Sequence, residues 1–483
     1  MKPLFTEAEW TFELIDETWK VIDSIGKELG LDYYNPSIEI ITAEQMLNAY
    51  STVAMPIMYD HWSFGKSLIT NENAYKKGQM GLAYEVVINT NPCIAYLMEE
   101  NTMTMQALVM AHAVCGHGSF FKNNYLFTEW TDADYILEYL KFAKNYIKDC
   151  EEKYGTDQVE TLLDACHSLR HYGIDKYKRK RILGEEEKDR RALAHLDYIE
   201  KNFNELWNTV VGTSIKEETL PEKDRMFPEE NILYFIEKYS PILETWEKEI
   251  VRIVRQISQY FYPQMQTQLM NEGWATFCHY EIMTEMYERG YLTEGSYLEF
   301  IQNHTNVITQ RGMNSDYYNG INVYALGFAM MSDIKRICLD PTPEDNKWFP
   351  DIAGTKDYWK VLKDIIVNYR DESFILQFLS PKVIRDFQLC VLHDDPDKDT
   401  YSMDFVHDDD DVLEIRKHLS RRYSLTYNMP QIEISNVDWS GKRDLELRYL
   451  NHLDKDLNFD KLQKTIDYID ELWGLNVSLE SEE

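Results

Sequence analysis

Positive charge is scarce in this chain. Its 483 residues hold 50 Lys and Arg against 83 Asp and Glu, a formal net charge of −33. Contacts to phosphate draw on Lys and Arg, so this balance excludes a general nucleic-acid binder. It equally disfavours adhesion to an anionic membrane face. Long apolar runs are also missing. The longest, around Met105 to Val114, is too short for a membrane span and contains His112. The opening MKPLFTEAEWTFELIDETW is acidic and amphipathic, so it does not read as a signal peptide. Paired cysteines are absent too. Cys93, Cys115, Cys150, Cys166, Cys278, Cys338 and Cys390 are odd in number, widely spaced and form no CxxC. That pattern fits reduced thiols in a cytosol and not a disulfide framework. What is present is globular: 44% hydrophobic and 13% aromatic residues, with 33 Tyr and 11 Trp, enough to bury a sizeable core. The expectation is a soluble, cytoplasmic protein without a membrane span, made of roughly two to four domains.

The pattern divides near residue 385. Before it, helical periodicity recurs at 132–153, 157–172, 229–260, 266–289 and 324–338. Thr6 followed by Glu9 predicts a capping box that opens the first helix. Beyond it, FQLCVLHD and YSMDFVHD read as strands and DVLEIRKHLSRRYS as a helix. QIEISNVDW and RDLELRYL form a hairpin across Ser440-Gly441-Lys442, KLQKTIDYIDELWG is a helix, and NVSLE is a last strand. This predicts residues 1–385 as one large helical domain and 386–483 as a small acidic α+β domain of order ββαββαβ. The last 98 residues hold 24 acidic and 11 basic side chains. The run Asp408 to Asp411 reads as a solvated loop. The basic run Lys176, Lys178, Arg179, Lys180, Arg181 reads as an exposed mixed-charge segment, with an anion-binding loop as the sharper alternative.

Three polar stripes lie in otherwise apolar helices. His112 and His117 sit in AHAVCGHGSFF; five residues on an ideal helix leave them about 140° apart, unless Gly116 and Gly118 let the helix end or bulge. Gln268, Glu272 and His279 sit in QTQLMNEGWATFCHYEIM, and seven residues put Glu272 and His279 about 20° apart. A buried carboxylate without a neighbouring cation needs a metal or a histidine partner. Asp164, His167 and His171, in DACHSLRHYGIDKY, share one helical face at spacing suited to two ligands or to a carboxylate orienting a histidine. His304 and Tyr324 flank a Gly-, Asn- and Tyr-rich stretch that reads first as an ordinary helix-to-helix connection, and otherwise as a substrate wall with an oxyanion donor from Tyr324. YDHW at 59–62 suits either a groove or a packed corner. Cys115, Cys166 and Cys278 read as small buried thiols, because adjacent helical positions point about 100° apart and form no ready dyad with their histidines.

His112 and His117 followed by GSFFKNNYLF, then DACH, FYPQMQTQLMNEGWATF and VYALGF, resemble the SpoVR family, relatives of stage V sporulation protein R. YDHWSFGK, NPCIAYLMEENT and the tail DELWGLNVSLES fit as well, so the resemblance covers nearly the whole chain. One departure is Asn322-Val323-Tyr324, where the family pattern has Asn-Pro-Tyr; this predicts a looser turn. The resemblance implies a role in forming the spore cortex. Relatives in non-sporulating bacteria are grouped with a serine-kinase stress pathway, which implies a serine kinase as partner. The paired histidines and NEGWA are also similar to gluzincin metallopeptidases, in which two histidines and a later Glu hold zinc. By that similarity zinc or another divalent metal would be held by His112, His117 and Glu272, with His279 or His167 as a fourth ligand or a group behind the ligands. The usual general base after the first histidine is replaced by Ala113. Asp164, His167 and Glu129 are the candidate substitutes, and Tyr324 the candidate donor. The fold expectation is therefore mainly α: a zincin-like helical domain and a small α+β domain. The functional one is a hydrolase of peptide or amide bonds acting on a peptide or peptidoglycan precursor. The competing expectation is a non-catalytic scaffold in a kinase pathway.

Overall fold

A computed structural model describes residues 2–481, apart from 78, 80–83, 178–226, 313–314, 317, 394–401, 405–407, 426–429, 440 and 451–458. Helices dominate, and the chain divides into two compact units. One comprises Met1–Leu163 and Gln259–Met429; the other comprises Asp164–Ser258 and Pro430–Glu483. No helix among the described residues is long and apolar enough to cross a membrane.

The first unit holds a three-stranded sheet that helical periodicity did not predict. β1 (Pro36–Ile41) runs parallel to β3 (Cys93–Met98), and β2 (Glu85–Ile88) pairs antiparallel on the other side of β3. The alternation of β3 sends Ala95 and Leu97 into the main core and Tyr96 and Met98 to the opposite face. Register places Glu85 opposite Leu97, so the Glu85 side chain shares the core-facing side. Against that side lie the Met103–Met110 helix, its continuation Ala111–His117, and the Gln268–Glu288 helix, hereafter the central helix. The central helix is apolar nearly all round: Leu269, Met270, Trp274, Phe277, Cys278, Ile282 and Met283 are all buried. That is the signature of a helix inside a core and not on its surface.

Several boundaries differ from the sequence expectation. The first helix is Phe12–Glu28, capped by the Thr11 side chain accepting from Leu14 N–H; Thr6 and Glu9 precede it. The segment 229–260 splits into Ile232–Tyr239 and a helix from Thr245, separated by Ser240-Pro241, because proline cannot continue the donor ladder. Asp408 to Asp411 is a helix start and not a loop. The Asp408 carboxylate accepts from the Asp410 and Asp411 N–H groups, and acidic groups favour the positive end of the helix Asp409–Arg422.

The expected order of elements after 386 is present, yet its strands form two sheets. β4 (Val391–His393) pairs with β5 (Ser402–Asp404). These strands and the Asp409–Arg422 helix belong to the first unit, whose second segment closes at Met429. Arg416 explains the attachment. Its buried guanidinium donates to the carbonyls of Leu379 and Leu376 and lies 4.7 Å from the Trp348 ring centre, while Val412, Ile415 and Leu419 enter the main core. In the second unit β6 (Gln431–Val437) pairs antiparallel with β7 (Leu445–Leu450), and β7 runs parallel to β8 (Val477–Ser481). The predicted hairpin turn is there, tied by Asp438 accepting from the Gly441 and Lys442 N–H groups. Phe235, Trp439 and Trp473 pack together in this unit. In the basic run, Lys176 meets Glu230 at 3.4 Å; positions 178–181 lie outside the described residues.

Candidate metal centre

The paired histidines meet because the helix carrying them changes pitch. Residues Ala111–His117 form a π-helix, whose hydrogen bonds reach five residues back, so side chains five apart stack on one face. Gly116 and Gly118 do not end the helix as one sequence alternative allowed; a bulge forms there instead. The two rings lie 4.7 Å apart, centre to centre. Ser119 hydrogen-bonds the Cys115 and Gly116 carbonyls and accepts from Trp274 Nε1 at 2.9 Å, tying the bulge to the central helix.

Close backbone approach brings the remaining groups in. A Cβ on Gly116 would stand 2.5 Å from Ala275 Cα, so only glycine admits the central helix at this distance. A Cβ on Gly273 would stand 2.5 Å from the Gly327 carbonyl carbon, which presses the helix Val323–Leu339 against the central one. Tyr324 therefore comes beside Glu272 and helps to hold its carboxyl down. Asn322 caps this helix by accepting from Tyr324 N–H, and its amide donates to Val307. Val323 sits at the first helical position, where proline is favoured, and the helix starts there under the Asn322 cap. At the start of the central helix, buried Asp371 accepts from the Leu269 and Met270 N–H groups at 2.8 Å.

The result is a small cage of nitrogen and oxygen. His112 Nε2 lies 3.5 Å from Glu85 Oε1 and 3.7 Å from Glu272 Oε2; His117 Nε2 lies 3.6 Å from the same Glu272 oxygen. These separations are too long for hydrogen bonds. They are close to the spacing of about 3.4 Å between neighbouring ligands of a tetrahedral ion with bonds of about 2.1 Å. Glu272 Oε2 is shielded from solvent and has no hydrogen-bond partner. Glu85, His112 and His117 offer ligand atoms all within 4.8 Å of one another. Each imidazole is held from behind: His117 Nδ1 lies 2.9 Å from Asn271 Oδ1, and His112 Nδ1 lies 2.9 Å from His279 Nδ1. Such outer partners leave Nε2 free for an ion. The donor set fits zinc or a similar divalent cation.

Burial opposes charge throughout the cage. On His112 it is outweighed by Glu272 and Glu85, which raise the pKa. On His117 it wins and the pKa falls. Burial would raise the Glu272 carboxyl, but His117, His112 and Tyr324 hold it below the usual range. Burial raises Glu85, and Glu272 adds to the effect.

Of the residues the sequence singled out, His112, His117, Glu272, His279 and Tyr324 come together. His279 is not a ligand in this arrangement: both of its ring nitrogens face other imidazoles, His112 and His304. Gln268 is exposed and stands apart. Asp164 and His167 belong to the second unit. Asp164 instead faces Glu471, whose carboxyl is raised by burial and by this neighbour. Their helix ends at Ser168, so His171 falls in a following 3₁₀ turn and leaves the predicted face. Glu85 and Asn271 were missed. Glu85 lay in a short strand that helical periodicity passed over; Asn271 sits beside Glu272 and carried no signal. His61 is buried, 2.7 Å from Ser63 Oγ, and lines a cleft of about 620 Å³. Cys115, Cys166 and Cys278 are buried, and burial raises all three thiols, the first to about 12.

Comparison with known proteins agrees with these motifs. A family model described as SpoVR like protein matches residues 9–428, and one described as SpoVR-like C-terminal domain matches residues 430–483. The chain is 52% identical over 476 residues to the uncharacterized protein YcgB of Escherichia coli strain K12, covering 98% of this chain and 93% of that one. No solved structure matches.

Proposed function

The chain belongs to the SpoVR family, and from that premise we propose that it is a metal-dependent hydrolase of peptide or amide bonds. The carrying observation is Glu272 Oε2, shielded, unpartnered and equidistant from two imidazole nitrogens. His112, His117 and Glu272 hold the ion in this reading. When bound, a divalent cation polarises a carbonyl as a Lewis acid. Glu85 takes the role for which Ala113 is unsuited. It enters the cage from β2, 3.5 Å from His112 Nε2, and accepts the proton of the attacking water. Tyr324, through its phenol, donates to the oxygen on which charge develops. Asp164, His167 and Glu129 have no part in this scheme. The zincin-like character proposed here is one of the site: two histidines on one helix, a carboxylate on a later one and a carboxylate from a strand.

For cellular role, the family supports sporulation, with cortex formation as the process and a cytosolic peptidoglycan precursor as the amide-bearing substrate. A second reading, a non-catalytic scaffold acting with a serine kinase, is favoured by Ala113. Glu85→Gln separates the two. In a hydrolase it keeps the metal and loses about 10²–10⁴-fold in turnover of a peptide substrate. Equal turnover by wild type and E85Q would refute Glu85 as base, and a zinc-loaded wild type inert on peptide and amide substrates supports the scaffold.

A further inference from the structure

Three buried imidazoles form a line that starts at the cage. His112 Nδ1 lies 2.9 Å from His279 Nδ1, and His279 Nε2 lies 2.9 Å from His304 Nδ1. His112, His279 and His304 are exposed by only 4%, 2% and 4%. Phe300, Tyr280 and Phe328 surround the far end, with ring centres 5.8, 5.0 and 4.8 Å from that of His304.

A neutral imidazole carries one N–H, so each 2.9 Å contact holds one proton. With all three rings neutral, two arrangements satisfy both contacts. In one, His112 Nδ1–H donates to His279 Nδ1, and His279 Nε2–H donates to His304 Nδ1. His112 Nε2 is then bare and faces Glu85 and Glu272. In the other, every donor is reversed: His304 donates to His279, His279 donates to His112, and His112 carries its proton on Nε2. The second arrangement closes the cage to a cation. One proton position at the far end therefore determines which nitrogen of His112 is free.

We propose that His279 and His304 are positioning residues that hold His112 in its metal-accepting tautomer. The inference rests on the metal reading above, since it assigns a purpose to the bare Nε2. The acceptor at His279 Nδ1 is the essential atom. Leucine at 279 removes it and leaves a buried His112 N–H without a partner. Asparagine places Oδ1 near the position of Nδ1 and keeps an acceptor.

The experiment measures Zn²⁺ affinity by chelator competition for wild type, His112→Ala, His279→Leu and His279→Asn, with thermal unfolding recorded for each. The expected result is about a 10–100-fold loss in His279→Leu, with most of it recovered in His279→Asn. Zinc-loaded protein labelled with ¹⁵N-histidine should show His279 protonated on Nε2 and bare on Nδ1. His279→Leu binding as wild type, His279→Asn as weak as His279→Leu, or His279 protonated on Nδ1 overturns the relay. If His112→Ala abolishes zinc binding in the same series, the metal reading survives that failure. Wild type without zinc binding overturns both.

Discussion

Two histidine-bearing stripes in this molecule differ in spacing and in surroundings. Asp164 and His167 lie three apart at the end of a helix, both half-buried. His112 and His117 lie five apart, poorer spacing on a regular helix, and they form the cage. The second pair succeeds because other elements converge on it. The π-helix turns both rings to one side, the central helix adds Glu272 and Asn271, and β2 adds Glu85. Asp164 has another carboxylate, Glu471, for a neighbour. Spacing along one helix is thus a weak guide to a site; the backbone contacts that bring a second helix within reach decide it.

The strongest way to break the comparison is to separate those helices. Gly273→Ala puts a Cβ 2.5 Å from the Gly327 backbone, which has no flexible end to give way. We expect a loss of about 4 kcal/mol or more, read by urea unfolding, together with loss of metal binding. A fully stable Gly273→Ala variant would show that close approach is not what builds the cage.

A smaller effect concerns Asp371, which anchors the start of the central helix. Burial raises its carboxyl to about 7, against the pull of the Met270 and Leu269 N–H groups. Its folded pKa thus lies above its unfolded value near 3.8. The folded chain binds the proton more tightly, so this group's contribution is present below pH 4 and is lost as pH rises through 7. Wild type should therefore lose stability relative to Asp371→Asn over pH 4 to 7. A flat difference across that window would mean the N–H donors hold the carboxylate ionised.

The smallest effect is expected at the other stripe. His167→Ala should change stability by less than about 1 kcal/mol and leave bound metal unaltered. Loss of metal there would place the two stripes in one site.

Much of the site was legible in the sequence, because a Glu and a His placed in otherwise apolar helices must find partners. His112, His117 and Glu272 were recognisable on that ground, and Tyr324 only as a residue flanking a Gly-, Asn- and Tyr-rich connection. Glu85 was not. Its strand is four residues long and is defined by pairing with β3, a contact no local period reveals. The same reason hid β1, whose partner Cys93–Met98 lies more than fifty residues on. His304 was visible only as a loop-flanking residue, since its contact with His279 depends on how two helices pack. The helix at Asp409–Arg422 was foreseen, but its attachment through Arg416 was not, because the partners of the guanidinium are carbonyls and aromatic faces and not a charge.

The central claim is that His112, His117 and Glu272 hold a divalent cation. Metal content of the purified protein, measured by elemental mass spectrometry beside His112→Ala, Glu272→Ala and His167→Ala, tests it directly. The account predicts close to one metal ion per chain in wild type and His167→Ala, and next to none in the other two. Substoichiometric metal in wild type, unchanged in His112→Ala and Glu272→Ala, would contradict it.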